Sequence, residues 1–182
     1  PILVEDFYKG KTLTILVGAP AGGVYDLYGR GIGKYITRYL PGKPAIVVQN
    51  VPGSGSVQAM NRLANELPAD GTAIGVPSNS APFLPLLGLD QARFDPNKMT
   101  WLGSATTESS VFFVWHTVPV NSLDDLKTRE VIVGSNGPNA SPGFFAKAMN
   151  SVFKTKLKAV YGYSGVADAM LALQRGERSE EH

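Results

Sequence analysis

Between Lys11 and Ser78 the chain repeats one pattern: a short β-rich run, a turn of glycine, proline, serine and asparagine, then apolar residues at helical spacing. The stretch "KTLTILVGA" (11–19) has the β-branched density of a buried strand. Leu27, Tyr28, Ile32, Tyr35, Ile36, Tyr39 and Leu40 then mark a helical stripe that Pro41 and Gly42 close. "AIVVQN" (45–50) predicts a second strand, Val57, Met60, Leu63, Ala64 and Leu67 a second helix, and "TAIGVPS" (72–78) a third strand. Strands and helices alternating over connections this short fit a parallel sheet covered by helices, an α/β fold. That topology sets the turns after Ala19, Asn50 and Val76 on one edge, the carboxyl edge, where open α/β sheets bind ligands.

The pattern breaks between Pro82 and Asn97, and a new unit follows. "MTWLGSA" and "VFFVWHT" predict strands near Thr100–Ala105 and Val111–Thr117. "SLDDLK" predicts a short helix with Ser122 as N-cap and Asp125 at its third position. A strand ("VIVGSN"), a helix ("SPGFFAKAMNSVF"), a strand ("KLKAVYGY") and a helix ("GVADAMLALQRG") complete it. The expectation is two α/β lobes, residues 1–105 and a partial lobe over residues 106–182, with a crossover near 104–110. Tyr28, Tyr35 and Tyr39, at helical spacing, are expected to pack against the first sheet.

Composition removes several classes of function. A hydrophobic content of 43% with 18% charged residues belongs to a folded chain rather than a disordered one. The net charge is only +2 and its lysines and arginines are scattered, which argues against nucleic acid as a partner. No apolar run approaches the ~20 residues that span a bilayer. With no cysteine there is no disulfide, thiolate metal ligand or thiol nucleophile. The histidines are His116, in an apolar run, and His182, in the terminal tail. Neither has a Ser-His-Asp arrangement or a second metal ligand in the sequence, so no catalytic residue, metal or cofactor is assigned.

The polar turns carry what chemistry the sequence offers. A helix N-terminus presents unpaired amides and a partial positive charge, and glycine there lets an anion approach the backbone. Four turns qualify: Pro20 to Val24, Pro52 to Ser56, Ser78 to Ala81 and Ser135 to Ser141, of which "GSNGPNAS" (134–141) is the richest in donors. The same residues are also what tight turns require, and that plainer reading stands beside the first. Nucleotide motifs fit poorly: "GSGSVQ" has Gln58 where G-x-G-x-x-G needs its third glycine, and "GRGIGK" (29–34) falls inside a helix. An α/β enzyme or nucleotide-binding domain using these turns for a phosphate is therefore the alternative.

Five segments in order resemble the periplasmic solute receptors of tripartite tricarboxylate transporters, the Bug-type receptors. "APAGGVYDLYGR" is similar to that family's P-x-G-G-x-x-D-x-x-A-R signature, and "VQNVPGSGS" to its strand and N-x-P-G-[AS]-G turn. "PADGTAIGVPS" resembles its P-x-D-G-[YT] turn and third strand, "VGSNGPNASP" its second-lobe loop, and "VYGYSGVADAMLALQRGE" its [PY]-Y-x-G segment. The likeness runs over roughly residues 10 to 177.

The resemblance implies a two-lobe periplasmic-binding-protein (type II, Venus-flytrap) architecture, incomplete at the C-terminus. It further implies a periplasmic location after signal-peptide removal, and capture of a small organic carboxylate for a membrane permease, without enzymatic turnover. By position it assigns ligand binding to Gly22, Gly23 and Asp26, to Ser78, Asn79 and Ser80, and to Ser135, Asn136, Asn139 and Ser141, with Tyr161 or Tyr163 closing the cleft. Asp26 would order its loop or hold water, since a bare carboxylate repels an anionic ligand. There are three departures, one being "GA" (18–19) where many members have an aromatic before the first loop. Gly29 stands where the signature has alanine, and family members continue past "RGE" with an apolar strand whereas Glu177, Arg178, Glu180 and Glu181 make a poor one. A truncated form is expected, with self-association through exposed sheet edges.

Overall fold

The structure, a computed structural model, describes residues 7–107 and 109–175; the charged tail from Glu177 to His182 lies outside them. The chain divides into two compact units between Gly103 and Ser104, and each has its own parallel sheet.

In the first unit β1 (Thr12–Val17) is central, with β2 (Ala45–Asn50) on one side and β3 (Ala73–Val76) on the other, all parallel. A strand flanked on both edges and covered on both faces needs apolar side chains in both directions, which is why "LTILV" does not alternate. Leu13, Ile15, Leu16 and Val17 are fully buried. Val17 sits level with both Asn50 and Val76, so the three strands end together and their following turns share one edge, as the alternation implies.

The helix after β1, α1 (Val24–Ile36), meets the sheet through glycine. A Cβ at Gly29 would lie 2.4 Å from Val17 Cγ2, and one at Gly33 3.0 Å from Ile46 Cγ2. Glycine at position 29 is therefore matched to a close helix–strand approach that alanine would obstruct. The tyrosine expectation is corrected by this geometry. Tyr35 and Tyr39 are 47% and 82% exposed while Tyr28 is half-buried, because the buried stripe runs through Asp26, Gly29 and Gly33. The second helix, α2 (Val57–Asn65), covers the sheet with Val57, Ala59 and Met60, and Met60 joins Ala81 and Phe94 in a core cluster.

The second unit pairs β4 (Glu130–Ser135) with β5 (Lys156–Tyr161) in parallel, Ser135 level with Tyr161. Around them stand α3 (Asp125–Thr128), α4 (Ser141–Phe153) and α5 (Val166–Gln174). Ser122 and Asp125 exchange hydrogen bonds as a capping pair, although the helix itself begins only at Asp125. Leu126, Val131, Ala146 and Leu157 form the core. Asn150 closes the α4–β5 turn: its Oδ1 accepts from Leu157 N (2.8 Å) and Thr155 Oγ1 (2.7 Å), and its Nδ2 donates to Leu157 O (2.7 Å).

Two expected strands do not form. Residues 100–105 and 111–117 lie outside both sheets, with Leu102 and Val111 nearly four-fifths exposed. An apolar run becomes a strand only where a neighbouring strand accepts its backbone hydrogen bonds, and the sheets described give these segments no partner. His116, expected within a strand, sits in an exposed turn beside the Trp115 ring.

Candidate functional site

The loop from Gly18 to Gly23 carries the chain from β1 into α1, and Asp26 organises it. Asp26 is the third residue of α1, and its carboxylate turns back toward the loop. Its Oδ2 accepts from Gly22 N (2.8 Å) and Arg30 Nε (3.0 Å), while Oδ1 accepts from Asn50 Nδ2 (2.9 Å). Asn50 Nδ2 also donates to Ala19 O (3.0 Å), and Asn50 Oδ1 accepts from Arg30 Nη2 (3.1 Å). Gly22 has φ +82°, which glycine adopts without strain.

Asp26 is 4% exposed, and its donors hold it ionised. The Arg30 bond, then those from Gly22 and Asn50, lower its pKa from 3.8 to about 2. A carboxylate so saturated and matched by a guanidinium presents a neutral pair rather than a bare negative charge. A depression of about 240 Å³ here is lined by Gly22, Gly23, Val24, Asp26, Leu27 and Arg30. It sits at the start of α1, whose first amides have no intrahelical acceptor and whose dipole favours an anion.

Serine hydroxyls tie the other two turns of this edge together. The backbone is left-handed at Ser54, Gly55 and Ser56, φ +49°, +65° and +73°. Buried Ser56 donates Oγ–H to Gly18 O (2.9 Å) and accepts from Ser78 N (2.8 Å). Ser78 Oγ donates to Gly55 O (3.0 Å) and lies 3.2 Å from Ser80 Oγ. A Cβ at Gly18 would stand 2.4 Å from Ser56 Cβ, so only glycine lets β1 end against this serine. Asn79, exposed at the surface, donates its backbone N–H to the Tyr25 hydroxyl (3.3 Å).

In the second unit, Ser135 ends β4 and is 1% exposed. Its Oγ donates to Gly137 O (2.7 Å) and receives Gly143 N–H (3.2 Å), which caps the third amide of α4. Pro142, the second residue of that helix, has no amide hydrogen. Much of the donor capacity that the sequence suggests at this turn is thus used within it, and Asn136 is left exposed at its tip. Asn139 and Ser141 are half-buried, and Tyr161 is 43% exposed. A Cβ at Gly143 would lie 2.6 Å from Gly137 O and 3.2 Å from the Tyr161 ring, so Ser135, Gly137, Gly143 and Tyr161 form one packed group.

The structure therefore gathers Gly22, Gly23, Asp26, Ser78, Asn79 and Ser80 at one edge of the first unit, and Ser135, Asn136, Asn139, Ser141 and Tyr161 around one turn of the second. Sequence reasoning assigned no site role to Asn50, Ser56 or Tyr25, although Ser56 ends one of the four turns it named and Asn50 stands in the "VQNVPGSGS" segment. Asn50 carried a usable signal, being the last residue of a strand on the edge already singled out. A larger cavity, about 1200 Å³, lies within the second unit against β4, α4 and α5. Its walls include Val114, Val133, Phe145, Met149, Leu157 and Met170. Ser141 at the start of α4, with Arg129, Glu130 and Lys158, also lines it, so its walls are apolar with a charged and polar part. Among the described residues no cluster of metal-binding side chains occurs, and no helix is long and apolar enough to cross a membrane.

No family model and no curated protein matches the chain. Solved structures do. A periplasmic transporter aligns with TM-score 0.64 at 18% identity over 94% of this chain and 59% of its own. The periplasmic binding protein BugD aligns with TM-score 0.63 at 16% identity, over 93% and 57%. An R. palustris protein solved with adipate aligns with TM-score 0.59 at 18% identity, over 92% and 57%. The chain spans less than two thirds of the length of these structures. Identities this low speak to architecture alone, and the architecture is plain: two parallel α/β units in the fold of periplasmic solute-binding proteins.

Proposed function

We propose that this chain is a solute receptor that captures a small organic carboxylate, without turnover, and presents it to a membrane permease of the tripartite tricarboxylate type. The observation that carries the reading is the Gly22–Gly23 loop, held by Asp26, Arg30 and Asn50 at the positive end of a 13-residue helix. Backbone amides suit a carboxylate because they are fixed dipoles that replace its water without a second mobile charge. That the same fold holds adipate in a neighbouring structure supports the ligand class.

On this reading Gly23 and the start of α1 supply ligand contacts in the first unit, with Gly22 shaping the loop, and Asn136, Asn139, Ser141 and Tyr161 supply contacts in the second. Asp26, Ser78, Ser80 and Ser135 act by shaping the loops. The location would be the periplasm after signal removal, and sheet edges would be available for self-association.

A thermal-shift panel tests it. Adipate, succinate, citrate and amino acids should include at least one that raises the midpoint, the stabilisation reaching about 2.7 kcal/mol at a hundredfold excess over Kd. A response confined to ATP or NAD would replace the receptor with the phosphate-binding alternative.

A further inference from the structure

Asn50 ends β2, and its carboxamide works at both ends at once. Nδ2 donates to Ala19 O (3.0 Å) and to Asp26 Oδ1 (2.9 Å), while Oδ1 accepts from Arg30 Nη2 (3.1 Å). Ala19 opens the loop after β1, and Asp26 in turn holds Gly22 near its close (2.8 Å). One side chain rooted in the sheet thereby fixes both limbs of the Pro20–Gly22 arch, one directly and one through Asp26. The pairing needs a group that is donor and acceptor together, at this length. Leucine has the bulk without either function, and aspartate has acceptors only.

We propose that Asn50 is a positioning residue for anion capture: without touching the ligand, it holds the Gly23 amide and the first amides of α1 in their binding geometry by clasping Ala19, Asp26 and Arg30, while the Gly22 amide is held by Asp26. Its ligand side rests on the carboxylate-receptor reading, and its structural side on the loop geometry alone. The clasp also explains how a carboxylate tolerates a place beside an anion site. Gly22, Asn50 and Arg30 together occupy both Asp26 oxygens, and the Asp26–Arg30 pair is neutral.

The test combines amide hydrogen exchange and adipate titration on the wild type, Asn50→Leu and Asn50→Asp. In Asn50→Leu, protection of the Gly22 amide, which donates to Asp26, should fall about tenfold while that of Leu13–Val17 holds, and adipate affinity should fall about tenfold, the size of one well-placed hydrogen bond. Asn50→Asp sets a second carboxylate where a donor stood 2.9 Å from Asp26 Oδ1. The two acids can share a proton once pH is lowered from about 8 to about 6, so loop protection and affinity should recover on acidification while the wild type stays level. Unchanged loop protection in Asn50→Leu overturns the proposal. So does an equal loss of protection in β1, or an Asn50→Asp variant whose loop ignores pH. If no carboxylate affects the wild type, the receptor reading fails, and the exchange measurements still decide whether Asn50 positions the loop.

Discussion

Single polar side chains set this carboxyl edge, and two of them give sharp expectations. Ser56 is buried in a left-handed conformation and serves both Gly18 O and Ser78 N. Ser56→Ala leaves both groups buried without their partner and keeps the backbone strain, so chemical denaturation should show a loss of about 2–4 kcal/mol. Asp26 sets a pH dependence. Its pKa is depressed on folding, so its contribution is complete above 3.8 and is lost as pH falls through about 2. Asp70, lowered chiefly by the Thr72 hydroxyl, and Asp125, lowered chiefly by the Asn121 amide, act in the same direction. The thermal midpoint of the wild type should therefore drop between pH 3.8 and about 2. Asp26→Asn should start lower at neutral pH and lose less across that window, the remaining fall belonging to the other two carboxylates. Equal falls in both proteins would mean that Asp26 is not held as described.

At the scale of the element, α1 separates what a helix requires from what its packing requires. Gly29 faces Val17 with no room for a methyl group, whereas Gly31, two positions on, has nothing within 4 Å of a built Cβ. Gly29→Ala should cost about 1–3 kcal/mol through the clash, despite better helix propensity, and Gly31→Ala should gain up to about 1 kcal/mol. Thermal or urea melts of the pair check the claim, and equal effects would contradict it. Elements with a local signature were legible in the sequence. "AIVVQN" and "SPGFFAKAMNSVF" coincide with β2 and α4 because their composition and the proline and glycine residues in or beside them are local signals. Where the outcome depends on a distant partner the reading failed: "VFFVWHT" has the composition of a strand but no described neighbour to pair with. The α1 tyrosines mislead for a related reason, since the sequence shows apolar spacing but not that Gly29 and Gly33 permit a closer face.

For the whole molecule, the sequence revealed where a site would lie better than which side chains build it. Gly22, Gly23 and Ser78 fall on the edge that strand order dictates, because parallel strands joined by helices leave their polar turns together. The clasp of Asn50 on Asp26 joins residues 24 positions apart, and the Ser56–Gly18 bond spans 38; both depend on the register β1 adopts with β2. The turn that looks richest, Ser135 to Ser141, spends much of its hydrogen bonding on itself, and Pro142 adds no amide to it. Capture through these loop amides is most directly tested by amide-resolved NMR titration of the full chain with adipate. The account predicts that amides at Gly22–Tyr25 shift along a saturable binding curve, and that those of Asn136, Asn139 and Ser141 respond to adipate as well. It is contradicted if every carboxylate in the panel leaves both stretches silent, or if only ATP or NAD moves them.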